Sequence, residues 1–247
     1  MTDRRVTAAI LAIGDEILSG RTRDANSHYI ARYLLQIGIE TREIRVVPDV
    51  EDEIVAALDA LRARHDYVFT TGGIGPTHDD ITADAVARAF GVGISEDPRA
   101  LALLLERMKP EDLNQARRRM ARIPHGAALV ANPVSKAPGF WIGNVIVMAG
   151  VPMVMQAMLD DVAPRLVHGV KILSESIDAH GVPESAYAAG LEAVAKAFSE
   201  VSIGSYPSFR DGKYYNQIVL RGRDAGVLAA AAEQVRDMLR RLGDARS

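Results

Sequence analysis

The sequence predicts an α/β fold, a parallel sheet with helices on both faces, followed by a small α+β domain. Three observations predict it. Apolar runs of strand length alternate with segments of helical periodicity through the first 169 residues. The first of these runs is continuous rather than alternating, as in a strand buried on both faces. After His168-Gly169 the pattern changes to short alternating segments around an Asp-Gly turn. The chain is therefore divided into domains 1–169 and 170–247.

Thr7 to Ile13 is the first strand, ended by Gly14. From Asp24 to Gly38, Ser27, Ile30, Ala31, Leu34 and Ile37 share one helical face, with Asp24 as N-cap and Gly38 as C-cap. Glu43 to Val47 is the second strand. Asp49 is placed to cap the next helix, whose face carries Ile54, Leu58 and Leu61. Tyr67 to Thr71 is the third strand. It runs through a glycine-rich loop into a helix marked by Ala83, Val86, Ala87 and Phe90, with Gly91 as its end. Pro98 to Arg122 reads as a helical insertion broken at Pro110. Val145 to Met148 is a buried strand, and a helix follows Gly150-Val151-Pro152 to about Val167. In the tail, Lys171 to Ile177 is a strand and Leu191, Val194, Ala195 and Phe198 mark a helix. Val201 to Tyr206 and Tyr214 to Leu220 flank a hairpin turn at Arg210-Asp211-Gly212-Lys213, and Leu228, Ala231, Val235, Met238 and Leu242 line a last helix.

Composition narrows the function classes. Hydrophobic residues make up 48%, enough for a packed core. The 29 basic and 32 acidic residues give a net charge of −3, without the basic excess of a dedicated nucleic-acid binder. The chain has no cysteine, which excludes disulfides, thiolate metal sites and a cysteine nucleophile and fits a reducing cytoplasm. No stretch approaches the roughly 20 apolar residues of a membrane span, and the lead before Thr7 lacks a signal-peptide pattern. A cytoplasmic protein with no membrane or nucleic-acid partner is expected. The six histidines show no zinc-ligand spacing, and neither a Gly-x-Ser-x-Gly elbow nor a P-loop occurs.

The loop Thr71-Gly72-Gly73-Ile74-Gly75-Pro76-Thr77-His78-Asp79-Asp80 carries the strongest chemical signal. Glycines between a strand and a helix let a ligand approach backbone N–H groups, and the helix that follows offers free donors to a phosphate. A tight strand-to-helix turn without a ligand uses the same residues. Asp79 and Asp80 raise a second question, since aspartate at a helix start is often only a cap. Two carboxylates beside a phosphate repel it unless a cation lies between, and Mg²⁺ commonly bridges carboxylates and substrate phosphates. Loop and pair together read as a metal-assisted diphosphate site, with Asp79 and Asp80 as metal ligands and catalytic residues. Asp15, Glu16 and Asn26 follow the first strand at the same sheet edge. Arg117, Arg118 and Arg119 could grip a phosphate, but a charge run in a helical insertion is usually a solvated face, and Trp141 fits core packing.

Gly14-Asp15-Glu16-Ile17-Leu18-x-Gly20, Asp24-x-Asn26 and the loop from Thr71 to Thr82 together resemble the competence/damage-inducible protein A (CinA) group. That group belongs to the molybdopterin-binding domain superfamily, with MoaB, MogA and MoeA. Asn132-Pro133, Ala137-Pro138-Gly139-Phe140 and Gly150-Val151-Pro152 match the same pattern. The resemblance implies a three-layer α/β/α domain, a small α/β domain after it, a nucleotide or pterin ligand and a homo-oligomer. It adds Gly139, Gly150 and Pro152 to the ligand site. It also implies activity: divalent-metal-dependent cleavage of ADP-ribose or FAD at the diphosphate, with a non-catalytic nucleotide- or molybdopterin-binding role, or molybdopterin adenylylation in molybdenum-cofactor biosynthesis, as alternatives. Nicotinamide-nucleotide deamidation is not expected, because the resemblance does not extend to the amidohydrolase domain of longer CinA proteins. Two local departures stand out. Val154 occupies the place of a frequent glutamate, and Ser135-Lys136 replaces Gly-Thr, so that Lys136 either faces a phosphate or is simply exposed.

Overall fold

The computed structural model describes residues 5–179, 181–210 and 213–244. Two compact units are present, Met1–Gly169 and Val170–Ser247.

In the first unit the elements run β1 (Val6–Ile13), α1 (Asp15–Leu18), α2 (Asn26–Gln36), β2 (Ile39–Val47), α3 (Glu51–Arg62), β3 (Tyr67–Thr71), α4 (Thr82–Phe90), β4 (Ile94–Glu96), α5 (Pro98–Leu105), α6 (Gln115–Arg119), β5 (Arg122–Pro124), β6 (Ala128–Val130), β7 (Gly139–Ile142), β8 (Val145–Met148) and α7 (Pro152–Val162). Six strands form one sheet in the order β2-β1-β3-β8-β7-β6. β2, β1, β3 and β8 are parallel, β7 pairs antiparallel with β8, and β6 pairs antiparallel with β7.

Side-chain alternation along β1 splits the core between two faces. Ala9, Leu11 and Ile13 pack with Ile54, Leu58 and Leu61 of α3, Val86 of α4 and Leu104 of α5. Val6, Ala8 and Ile10 pack on the other face with Ile30 and Leu34 of α2 and Met155, Met158 and Leu159 of α7. Each such buried aliphatic side chain contributes about 1.5–3 kcal/mol relative to exposure. The expected three-layer α/β/α domain on a mostly parallel sheet is what these two faces build.

Several boundaries differ from the sequence reading. α2 begins at Asn26, yet Asp24 Oδ1 still accepts from the Ser27 N–H at 2.9 Å. Asp49 does not cap α3, whose N-cap is Val50; its Oδ2 accepts instead from the Asp15 N–H at 3.0 Å. The expected insertion over 98–122 holds two short helices and a 3₁₀ turn at Pro110–Asp112. β5 then pairs with β4 in a separate two-stranded sheet. The helix after Pro152 stops at Val162, because Pro164 within the 3₁₀ turn Ala163–Arg165 cannot donate to a continuing helix. α4 does end at Gly91, in the left-handed conformation at φ 63°.

The second unit is β9 (Leu173–Asp178), α8 (Glu184–Ala197), β10 (Ser202–Arg210), β11 (Lys213–Gly222) and α9 (Ala225–Asp244). Its antiparallel sheet has the order β10-β11-β9. Ile177, Ile218 and Leu220 of the sheet pack against Tyr187 and Val194 of α8 and Leu228 and Val235 of α9. The expected hairpin turn residues Asp211 and Gly212 lie outside the described residues. Among the described residues no helix is long and apolar enough to cross a membrane.

Candidate functional site

A cavity of about 520 Å³ opens at the carboxyl ends of the parallel strands in the first unit, within the range of small-molecule sites. Loops after β1, β2, β3 and β8 supply its walls, with the loop between β6 and β7. Gly14, Glu16, Asp49, Asp79 and Asp80 line it, as do Gly72, Gly73, Ile74, Gly75 and Pro76.

The glycine loop has two jobs that separate by residue. Gly72 stands at φ 106°, and its N–H donates to the Met148 carbonyl at 3.2 Å. A Cβ there would collide with the Ile13 carbonyl oxygen. Gly72 is thus required by packing, and its N–H is not available to a ligand, against the expectation that all three glycines present theirs. Gly73, Ile74 and Gly75 differ: their N–H groups carry no hydrogen bond to another described residue, and all three border the cavity. Successive free N–H groups of this kind form an anion-binding concavity.

The helix after the loop starts later than the sequence suggests. α4 begins at Thr82, whose hydroxyl donates to the Gly72 carbonyl at 3.0 Å, and neither Asp79 nor Asp80 caps it. The first turn of α4 lies beside the loop, where Ala83 and Asp84 share a small recess with Gly73, Ile74, Gly75 and Asp80. Asp80 is tied within its own loop: Oδ2 accepts from the Thr77 N–H at 2.8 Å and hydroxyl at 2.5 Å. Arg119 donates to the Asp80 carbonyl at 3.2 Å, which bolts α6 to this loop. Asp79 is exposed, with the Thr77 side chain and its own N–H as the donors nearest its carboxylate.

The carboxylates facing the cavity are electrostatically unequal. The Thr77 side chain, then the Asp79 N–H, His78 and Arg119, hold the Asp79 carboxyl below the usual range. Burial pushes the Asp49 carboxyl up, and the negative neighbours Asp15, Glu16 and Asp79 add to the rise despite the Asp15 N–H.

Beneath the cavity floor, Asn26 Nδ2 donates to Thr71 Oγ1 at 2.8 Å and to the Gly150 carbonyl at 2.7 Å. Thr71 Oγ1 donates on to the Ala149 carbonyl at 3.0 Å. These bonds fasten the first turn of α2 to the ends of β3 and β8.

Two family profiles match the chain. Residues 9–168 match the family described as "Probable molybdopterin binding domain", and residues 171–243 match the middle domain of FAD synthase. The chain belongs to the molybdopterin-binding domain family. Within this family it falls in the CinA group. A CinA-like protein of Citrifermentans bemidjiense is 36% identical over 243 residues, covering 94% of this chain and 58% of that protein. A protein of Archaeoglobus fulgidus is 32% identical over 230 residues, covering 93% and 96%. The crystal structure of CinA from Thermoplasma acidophilum superposes with TM-score 0.63 at 35% identity, covering 66% of this chain and 99% of that one.

In this molybdopterin-binding domain Glu16, Gly72, Gly73, Gly75, Pro76, Asp79, Asp80 and Gly150 line the cavity. Thr71 and Asn26 lie buried below it, and Thr77 stands beside it holding Asp80. Asp15 is exposed and reaches the site through its N–H to Asp49. Gly139 is buried in β7, where a Cβ would meet the Val147 carbonyl, and Pro152 opens α7 while its neighbours Val151 and Val154 line the cavity. Lys136 pairs with Glu106 at 2.7 Å and is not part of the wall. Asp49 is the residue that sequence reasoning misassigned: an aspartate before a helix imitates a cap, and only the pairing of β2 with β1 carries it to Glu16.

Among the described residues no group of three or more His, Asp or Glu side chains converges to hold a metal ion. A resident, all-protein metal cage therefore does not fit. Mg²⁺ that arrives with a substrate needs only one or two carboxylates, completed by phosphate oxygens and water. Glu16, Asp49 and Asp79, around one cavity with free loop N–H groups, fit that arrangement.

Proposed function

We propose that the first unit binds the diphosphate of a nucleotide or pterin together with a divalent cation, and hydrolyses dinucleotides of the ADP-ribose or FAD kind at that diphosphate. The observation that carries the reading is the pairing, in one cavity, of the uncommitted N–H groups of Gly73, Ile74 and Gly75 with the carboxylates of Glu16, Asp49 and Asp79. Either alone has an ordinary structural use. Together they accommodate an anion only when a cation is shared between it and the carboxylates. The bound cation supplies neutralising charge and Lewis acidity to the diphosphate.

The chain's own residues divide the remaining work. The N–H groups from Gly73 to Gly75 hold a phosphate oxygen. Asp79, held ionised, suits the cation. Asp49, whose carboxyl burial pushes up, takes a proton more readily than Asp79 and is assigned to accept one from the attacking water. Val154 gives a specific reason to keep a second reading, a binding protein with little turnover, since an apolar side chain borders the cavity where the CinA pattern has a carboxylate. Incubating the protein with ADP-ribose or FAD, with Mg²⁺ or with chelator, separates the two. AMP release that requires Mg²⁺ supports hydrolysis. Thermal stabilisation by the same ligands without AMP supports binding alone, and no response to any of them refutes both.

A further inference from the structure

The three consecutive arginines of the insertion are not equivalent in the fold. Arg117 Nη1 donates to the Asp112 carbonyl at 2.6 Å, and Arg118 pairs with Glu96 at 2.7 Å. Arg119, the last residue of α6, is half-buried and uses only its Nε, which donates to the Asp80 carbonyl at 3.2 Å. Its two Nη groups have no partner among the described residues.

Arg119 lines the small recess beside the glycine loop. Recess and cavity share Gly73, Ile74, Gly75, Asp80 and Met120, so Arg119 stands at the loop segment whose N–H groups are free. The other charged groups of the recess are already engaged. Arg122 holds both oxygens of Asp84, at 2.6 and 2.8 Å, and Thr77 holds Asp80. Arg119 is also near enough to Asp79 to help hold that carboxyl below the usual range. Among the described residues that line the cavity there are four carboxylates, Glu16, Asp49, Asp79 and Asp80, and no lysine or arginine. A diphosphate and one divalent cation placed among them leave negative charge in excess. A guanidinium whose fork is free meets that need, because it binds a phosphate through two parallel hydrogen bonds.

We propose that Arg119 is a phosphate-binding residue of this site. Its Nε keeps the Asp80 carbonyl, and its two Nη groups take oxygens of the phosphate that rests on Gly73 to Gly75. The insertion over 98–122 thereby contributes a side chain to the ligand. This rests on the diphosphate reading above, and the two can fail separately.

The test is a calorimetric titration of inorganic pyrophosphate with Mg²⁺ into the full chain and its Arg119→Gln, Arg119→Lys and Arg118→Gln variants. Each is measured at about 0.1 M and about 1 M salt, where the screening length falls from about 10 Å to about 3 Å. Arg119→Gln is expected to bind about tenfold or more weakly than the wild type at the lower salt, with the gap narrowing at the higher. Lysine keeps the charge and gives up the fork, so Arg119→Lys recovers part of the loss. Arg118→Gln, which removes a neighbouring charge, stays within about twofold of the wild type. Wild-type affinity in Arg119→Gln, an equal loss in Arg118→Gln, or a loss by the same factor at both salts, as a displaced loop would give, overturns the assignment and leaves the diphosphate reading standing. If Arg119→Gln does not fold, Arg119→Lys decides, and wild-type affinity there overturns the assignment. If the wild type does not bind pyrophosphate with Mg²⁺ at either salt, both readings fall.

Discussion

Asp49 and Asp79 border one cavity and are driven in opposite directions, Asp49 up by burial and its acidic neighbours, Asp79 down by Thr77 and nearby donors. A carboxyl whose folded pKa is raised costs stability once it ionises, so the cost appears as pH rises through that folded pKa. Asp49→Asn is therefore expected to melt above the wild type at pH 7–8, a gain that fades below about pH 4, where a free aspartate is itself protonated. Thermal melts across pH check this, and a variant that melts lower at neutral pH would refute it. Asn26 has the contrary character. It is buried and donates two hydrogen bonds that join α2 to β3 and β8. Asn26→Ala should cost about 2 kcal/mol or more in urea unfolding, because the Gly150 carbonyl loses its donor. A near-neutral effect would mean that water replaces the amide without cost.

At the scale of elements, the strand-to-helix turn after β3 shows how much was legible and why. Glycines at 72, 73 and 75 announced a special backbone, and the structure gives Gly72 and Gly73 positive φ. Their partners were not legible, since the Ile13 carbonyl that excludes a side chain at Gly72 is far away in sequence. Gly72→Ala is accordingly expected to destabilise by about 2 kcal/mol or more, with a loss of ligand response from the displaced loop. Urea unfolding with a ligand titration measures both, and a variant of wild-type stability would contradict the packing account. β1, β3 and β8 were readable because their residues are apolar in unbroken runs. β6 and β7, of three and four residues, are too short to show a period, and their place at the sheet edge comes from antiparallel pairing of β7 with β8 and of β6 with β7. Asp79 and Asp80 looked equivalent in sequence. The structure makes Asp80 a clamp for Thr77 and leaves Asp79 exposed at the cavity.

At the scale of the molecule, each unit has hydrophobic clusters of its own among the described residues. A fragment of residues 1–169 is expected to unfold cooperatively on its own, and a broad, non-cooperative melt would show that it depends on the rest of the chain. The whole cavity is built from the first unit, so the account turns on what that unit binds. The most direct measurement is a titration of ADP-ribose into the full chain with and without Mg²⁺, on the wild type and on Asp79→Asn. Magnesium should raise wild-type affinity about tenfold or more, and Asp79→Asn, with its fold and melting temperature intact, should lose most of that gain. Binding indifferent to Mg²⁺, or an undiminished Mg²⁺ response in Asp79→Asn, would contradict a diphosphate site that shares its cation with these carboxylates.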